Sequence, residues 1–220
     1  MPAEHHIHIR RTARYFTLGE SVASPAEIWM ACHGYGQLAE RFLTRLAPLD
    51  DGRRLVVAPE ALSRFYVAGS GLEPDSRVGA SWMTREDRLV EIEDYVGYLD
   101  AVHAEIRARP GAATARLTAL GFSQGTATVS RWALRGKTRV DRLILWAGLL
   151  PPEVELGAEA ARLNAMDLTL VAGEHDDWVQ KGLPAQLKAL DAAGVKYRLV
   201  KFNGGHSVEA EALKSVMGDG

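Results

Sequence analysis

The chain has 220 residues, of which 47% are hydrophobic and 25% are charged, and its formal net charge is −2. This length and composition are ordinary for a globular protein with a substantial core, and we expect one domain over residues 1–220. The nearly neutral charge gives no electrostatic reason to expect nucleic acid or an anionic membrane as a partner. The single cysteine, Cys32, excludes an internal disulfide.

Neither a leader segment nor a membrane anchor is expected. Residues 1–16 hold three histidines and three arginines without an apolar run, so no signal peptide is predicted. No apolar stretch approaches the length of a membrane span. We therefore expect a cytoplasmic protein.

The first half of the chain begins with β-prone segments. Residues 5–18 alternate loosely, and a turn at residues 19–25 separates them from the apolar run Ile28–Cys32, which has the composition of a buried strand. We expect these segments to form an antiparallel hairpin. The segments expected next are a helix at about residues 37–46, a buried strand at 54–58 and an aperiodic stretch at 60–84.

A long amphipathic helix follows. Apolar residues recur at spacings of three and four from Leu89 to Ile106, and Pro110-Gly111 ends the pattern. Strand and helix segments then alternate. The predicted strands are 117–122, 143–146, 168–171 and 197–202, and the predicted helices are 124–134, 180–193 and 208–216. This alternation predicts an α/β fold: a mostly parallel central sheet with helices on both faces, extended by the antiparallel N-terminal hairpin.

The sequence Gly121-Phe122-Ser123-Gln124-Gly125 matches the pattern of a nucleophile elbow. A serine in such a sharp turn needs glycine two residues away on each side, because larger side chains would clash. The match lies where that geometry requires it, directly after a predicted strand and directly before a predicted helix. We therefore predict that Ser123 is a nucleophile, rather than part of an ordinary glycine turn.

A serine nucleophile needs a base, and the base needs an orienting carboxylate. Two later strands are each followed by such residues: one precedes the acidic loop Gly173–Val179 and the other precedes Gly204-Gly205-His206-Ser207. The carboxyl ends of parallel strands form the edge at which α/β sheets build their sites, so we predict His206 as the base. The acidic loop offers three carboxylates, and the residues alone leave the choice open among Glu174, Asp176 and Asp177.

His175 lies among these carboxylates, which raises the alternative of a metal site. The sequence offers no further ligand at metal-binding spacing. We therefore predict neither a metal nor a cofactor.

The oxyanion of an acyl-transfer reaction requires N–H donors. One is expected from the backbone of Gln124 and the other from the glycine-rich loop His33–Gly36, with Tyr35 as the donor. His33 itself is expected to be a structural histidine that bonds within its loop. Four side chains in or near loops are candidates for a substrate pocket, with core packing as the equal alternative: Tyr66, Trp82, Met83 and Trp178.

These motifs resemble the phospholipase/carboxylesterase family of α/β-hydrolases, which includes acyl-protein thioesterases. The matching segments, in chain order, are His33–Gly36, Pro59, Ser81-Trp82, Gly121–Gly125, Gly173–Val179 and Gly205-His206. The resemblance implies the α/β-hydrolase fold and places the acid at Asp176, three residues after the loop glycine. The chain departs from the family pattern at Asp177, where proline is usual, at Gln37, where aspartate is common, and at Met83-Thr84, where Phe-Asp is usual.

The resemblance and the motifs together imply a serine hydrolase with Ser123, His206 and Asp176 as its triad. A carboxylesterase acting on small or medium acyl esters is the first expectation, and an acyl thioesterase or lysophospholipase is the alternative. A non-catalytic binding protein with this fold is a third reading. The sixteen residues between Leu150 and Asp167 leave no room for a large lipase-type lid. The sequence leaves the oligomeric state open, a homodimer included.

Overall fold

The computed structural model describes residues 1–67, 73 and 75–218. The strands are β1 Tyr15–Leu18, β2 Glu27–Cys32, β3 Arg54–Pro59, β4 Ser63–Tyr66, β5 Val78–Ser81, β6 Arg116–Phe122, β7 Arg142–Trp146, β8 Asp167–Gly173 and β9 Arg198–Phe202. The helices are α1 Ala39–Thr44, α2 Arg88–Arg107, α3 Gln124–Arg135, α4 Leu156–Asn164, α5 Asp177–Ala192 and α6 Ala210–Met217.

A seven-stranded sheet forms the centre of the molecule, with the order β1-β3-β2-β6-β7-β8-β9. In this sheet, every pairing except that between β1 and β3 is parallel. All residues of β3 and β7, and nearly all of β2 and β6, are buried. Because successive side chains of a strand point to opposite faces, this unbroken burial means that both faces of the sheet are covered. The predicted mostly parallel α/β sheet is confirmed.

The sheet is also extended by an antiparallel N-terminal strand, as predicted, but β1 does not form the expected hairpin with the next strand in the chain. β1 pairs with β3, with Tyr15 opposite Pro59, and not with the next strand in the chain. β2 already has a parallel neighbour on each side, so β1 pairs instead with the free outer side of β3. The β-prone residues 5–14 are exposed and outside any strand.

Two other segments differ from their predicted form. The aperiodic stretch 60–84 holds a small separate hairpin of β4 and β5, with Ser63 opposite Ser81, while residues 68–72 and 74 of that stretch lie outside the described residues. The sixteen residues after Leu150 hold α4, where no helix was predicted. None of the helices in the described part of the chain is long and apolar enough to cross a membrane.

The buried apolar side chains form one cluster that includes residues of the sheet and of the helices packed on it. The core holds the parallel strands in register, so the residues that follow β6, β8 and β9 lie at one edge of the sheet. Ser123 directly follows β6, Asp176 lies three residues after β8, and His206 lies four residues after β9. All three strands are parallel, so the three residues lie at the same edge of the sheet.

Candidate active site

Ser123 occupies a strained backbone conformation between β6 and α3, with φ 54° and ψ −117°. Its N–H donates to the Trp146 carbonyl at 2.9 Å, which ties the turn to β7. Both flanking glycines are sterically required. A Cβ on Gly121 would lie 2.2 Å from the Gly125 carbonyl oxygen, and one on Gly125 would lie 2.1 Å from the Cys32 carbonyl oxygen. Such strain is typical of functional sites, because the surrounding fold must enforce it.

Ser123, His206 and Asp176 form one continuous chain of hydrogen bonds. The Ser123 Oγ lies 2.9 Å from His206 Nε2, and His206 Nδ1 lies 2.8 Å from Asp176 Oδ2. An ionised carboxylate only accepts, so Nδ1 carries the proton and Nε2 is left to accept from the serine hydroxyl. This tautomer is the one in which the imidazole can remove a proton from Ser123.

Asp176 is held in place by the start of α5. Its side chain is buried, and Oδ1 accepts from the Trp178 and Val179 N–H groups at 3.1 and 3.4 Å. A carboxylate at a helix N-terminus is stabilised by these unpaired donors and by the helix dipole. The other two carboxylates of the loop, Glu174 and Asp177, are exposed. The structure therefore brings only Asp176 of the three against His206.

The loops that carry Asp176 and His206 are joined by their backbones. The His175 N–H donates to the Gly204 carbonyl, and the Glu174 N–H donates to the Phe202 carbonyl, both at 2.9 Å. A Cβ on Gly173 would lie 2.4 Å from the Gly204 carbonyl oxygen, so this contact requires glycine. The Phe122 ring packs against the His206 ring at a centroid distance of 5.1 Å. The side chain of His206 is 35% exposed, which leaves it open to a substrate.

His33 is buried and bonded to the backbone at both ring nitrogens, in agreement with its predicted structural role. Its Nε2 accepts from the Ala61 N–H at 3.1 Å, so Nδ1 carries the proton and donates to the Gly34 carbonyl at 2.8 Å. Burial lowers the pKa of His33 and outweighs the opposing effects of the Gly34 hydrogen bond and of Glu60. His33 is therefore a neutral brace between the loops that follow β2 and β3.

The two predicted oxyanion donors belong to segments next to Ser123: Gln124 follows it in the chain, and Tyr35 lies in the loop after β2. The Tyr35 and Gln124 backbone N–H groups have no acceptor among the described residues. The Gly34 N–H is already occupied, because it donates to Gln37 Oε1 at 2.8 Å. A Cβ built on Gly34 would lie 3.2 Å from the Ser123 Cβ, so this loop passes directly against the serine.

Sequence reasoning missed the part that glutamine side chains play here. Gln124 accepts from the Trp82 N–H at 3.1 Å and donates to the Met83 carbonyl at 2.9 Å, which fixes the chain after β5 against the elbow. Trp82 is buried, and its Nε1 donates to the His33 carbonyl at 2.9 Å. A glutamine directly after the nucleophile and another at position 37 were visible in the sequence, but their partners lie far away along the chain.

A pocket of about 260 Å³ opens beside the serine, lined by Ser123, Thr126, Ala147, Gly148, Leu149, Trp178, Val179 and His206. Of the four predicted pocket residues, Trp178 alone lines it, and its side chain is largely exposed. Trp82 and Met83 instead hold the loops around the elbow, and Tyr66 is exposed on β4. Within the described residues, the one cluster with metal-ligand geometry is Glu4, His6 and Asp87, which is exposed and contains none of these residues.

Solved structures with the same arrangement of strands and helices match nearly the whole chain. Esterase PE8 is 25% identical over 94% of this chain and 96% of its own, with a TM-score of 0.70. The chain has the α/β-hydrolase fold. A carboxylesterase from Mesorhizobium loti is 19% identical over 93% and 92% of the two chains, with a TM-score of 0.70. Acyl-protein thioesterase 2 from Zea mays is 19% identical over 93% and 96%, with a TM-score of 0.67.

These likenesses confirm the predicted resemblance at the level of the fold. No family model matches the sequence, and no curated protein matches it either. The fold is thus established by structure, whereas the reaction has to be argued from the residues at the carboxyl edge of the sheet.

Proposed function

We propose that this protein is a serine esterase that hydrolyses small or medium carboxylic esters through an acyl-enzyme. The observation that carries the proposal is the hydrogen-bonded chain from Ser123 through His206 to the buried Asp176, built on a strained elbow. Nucleophile, base and orienting acid in this geometry are what acyl transfer requires. Neighbouring structures named carboxylesterase and esterase support the same reaction class.

The first half of the reaction forms the acyl-enzyme. The Ser123 Oγ attacks the ester carbonyl carbon while its proton passes to His206 Nε2. The resulting imidazolium is stabilised by Asp176, whose carboxylate already accepts from Nδ1 at 2.8 Å. When the tetrahedral intermediate collapses, the proton on Nε2 passes to the departing alkoxide and the alcohol leaves.

The negative charge that develops on the carbonyl oxygen needs donors that are in place beforehand. The backbone N–H groups of Tyr35 and Gln124 are the proposed pair, one from the loop after β2 and one from the first residue of α3. The side chains of Gln37 and Gln124 support them, because they fix these two segments through the hydrogen bonds to Gly34, Trp82 and Met83.

The second half returns the free enzyme. Water takes the place of the alcohol, His206 removes its proton, and the acid is released as Ser123 recovers its hydrogen. In this proposal each proton passes between the substrate, water and these two side chains, so neither a metal nor a cofactor has a part.

An acyl thioesterase is the second candidate, and the likeness to acyl-protein thioesterase 2 favours keeping it. A thioester presents the same carbonyl to Ser123 and differs in its leaving group. Turnover of an ester, a thioester and a lysophospholipid carrying the same acyl chain separates the candidates by kcat/KM.

The proposal is tested by a fluorophosphonate probe together with a panel of p-nitrophenyl esters. A working triad forms a covalent adduct at Ser123, which peptide mass spectrometry locates, and labelling abolishes ester turnover in proportion to occupancy. A chain that remains unlabelled and turns over none of the esters or thioesters would instead be a binding protein with this fold.

A further inference from the structure

A second cluster of polar groups lies at the opposite edge of the sheet from Ser123, where β7, β8 and β9 begin. A cavity of about 470 Å³ opens there, lined by Arg142, Asn164, Met166, Asp167, Leu168, Thr169, Lys196, Tyr197 and Arg198. Strand β8 runs seven residues from this edge to the acidic loop. At about 3.3 Å per residue the two sites are separated by roughly 20 Å, so the cavity is distinct from the proposed active site.

The sheet register places the polar side chains of this cluster on one face. Arg142 is opposite Asp167, and Thr169 is opposite Arg198, in the parallel ladders that join β7, β8 and β9. Asp167 and Thr169 are two residues apart on β8, so their side chains point to the same side. Register partners on neighbouring strands share that side, and the four side chains therefore converge.

Arg142 is the unusual member of the cluster. It is only 5% exposed, and its guanidinium has no hydrogen-bond or ion-pair partner among the described residues. Burial lowers the pKa of Arg142; the carboxylates of Glu27 and Asp167 oppose this effect, and the neighbouring Arg116 and Arg198 add to it. The Arg142 nitrogens are not among the fully buried side-chain atoms without a partner, so they reach the open space of the cavity, where a bound anion would contact them.

Thr169 repeats the pattern with a neutral group. It is 2% exposed and lines the same cavity, and its hydroxyl has no partner within the part of the chain that the structure describes. Two buried polar side chains, one cationic and one able to donate, thus face the same space. Their common unmet need is a hydrogen-bond acceptor, and the arginine requires that acceptor to be negative.

The charges around the cavity favour an anion. Lys196 and Arg198 add positive charge to that of Arg142, and the Arg198 guanidinium also donates to the Ser215 carbonyl at 3.2 Å. The acidic residue of the lining, Asp167, already forms an ion pair with Arg116. Beside these groups, Met166 provides apolar surface.

We propose that this cavity binds the phosphate group of a small phosphate monoester. The planar guanidinium of Arg142 matches two phosphate oxygens, and the Thr169 hydroxyl donates to a third. The positive charges of Arg142 and Lys196 balance a dianion, and the apolar side chain of Met166 accommodates the organic part of the ligand. Occupancy would give Arg142 a hydrogen-bonded counter-charge, whereas Glu27 and Asp167 act on it without a hydrogen bond.

The test is thermal denaturation with inorganic phosphate or glycerol phosphate, against sodium acetate at equal ionic strength. At a ligand concentration a hundredfold above Kd, the Tm should rise by about 5–10 °C, because the ligand binds only the folded chain. Acetate should leave the Tm unchanged. Absence of a rise with phosphate overturns the proposal, and a rise with phosphate but none with glycerol phosphate overturns the monoester assignment.

Arg142→Met separates a binding role from a structural one. Methionine fills a similar space without the unpaired charge, so the ligand-free variant should have a higher Tm than the parent. Its phosphate-induced rise should disappear, while fluorophosphonate labelling of Ser123 stays unchanged. A variant that is less stable than the parent, or that keeps the phosphate response, shows that Arg142 serves packing alone.

Lys196→Gln provides a second variant at an exposed position, where the fold is not at risk. It should weaken phosphate binding about two- to fivefold, as expected for one partly screened charge. The matched control is Lys188→Gln, which is exposed on α5 and outside the cavity lining, and should leave affinity unchanged. Equal affinities for these two variants would contradict the placement of the site.

Discussion

Two histidine loops lie at the carboxyl edge of the sheet, and they use the same side chain in opposite ways. In the loop after β2, His33 is fully buried and bonded to backbone groups at both ring nitrogens. In the loop after β9, His206 is 35% exposed and lies between a carboxylate and a serine hydroxyl. The first links two loops, and the second reaches the surface beside a pocket of about 260 Å³.

The difference shows that partners, rather than residue type, decide whether a histidine can move a proton. Protonating His33 would place a buried charge against the Ala61 N–H, a donor, and burial already lowers its pKa. Protonating His206 creates a charge beside the buried Asp176 carboxylate, which compensates it. A catalytic base needs an acidic partner and access to a substrate, and only His206 has both.

The largest effect should come from removing Ser123, the proposed nucleophile. Ser123→Ala should lower kcat by about 10⁴-fold or more, as in other serine triads, because the remaining groups can only bind and polarise the ester. The elbow tolerates a small side chain, so circular dichroism and Tm should match the parent. Activity within tenfold of the parent, measured on protein free of contaminating esterase, would contradict the triad assignment.

The next prediction concerns the partner that distinguishes His206 from His33. Asp176→Asn should cost about 10³- to 10⁴-fold in kcat, because an amide no longer fixes the imidazole tautomer or stabilises the imidazolium. Asp177→Asn is the matched control on the neighbouring residue, and its exposed side chain predicts a change below about threefold. If the two variants exchanged these effects, the acid would be Asp177.

A smaller effect on rate, but a larger one on stability, is expected for the bracing histidine. His33→Leu leaves the buried Ala61 N–H and Gly34 carbonyl without their partner, so the free energy of unfolding should fall by about 1–3 kcal/mol. His206→Leu should show the reverse: near-parent stability in urea and almost complete loss of turnover. Equal stability losses in the two variants would remove the distinction between the loops.

Much of this contrast was predictable from the sequence. Short apolar runs followed by glycine-rich loops placed Ser123, the acidic loop and His206 beyond strand ends, and parallel pairing brings such ends together. The choice of Asp176 within that loop came from the family resemblance. The prediction that His33 is a structural histidine also agrees with its contacts. Contacts between residues far apart in the chain could not be predicted. They include the hydrogen bond from the Ala61 N–H to His33, the pairing of β1 with β3 and the side-chain hydrogen bonds of Gln124.

The same limit explains why Arg142 was not singled out. An arginine at the start of a strand is usually solvated, and nothing in the local pattern marks it as buried. Its burial follows from the elements that surround the cavity, which come from residues 164 to 198. Periodicity specifies which face of an element is apolar, whereas the partners of a buried polar group depend on how distant elements dock.

The smallest effect concerns which of the two histidine loops lies next to the acyl chain of the substrate. The pocket beside Ser123 is on the His206 side and is walled by Leu149 and the exposed Trp178. Each buried methylene contributes about 0.8 kcal/mol, so kcat/KM should rise about fourfold per methylene until the pocket is full. We expect the rise to stop at short to medium chains and to need no lipid interface.

Trp178→Ala should flatten the rise while leaving kcat for an acetate ester within about threefold. Tyr35→Ala keeps the backbone N–H of the other loop and is the matched control: it should preserve the chain-length profile. If instead Tyr35→Ala flattens the profile and Trp178→Ala does not, the acyl chain lies along the His33 loop. A rate that jumps only above the micellar limit, with long-chain triglycerides preferred, would indicate a lipase instead.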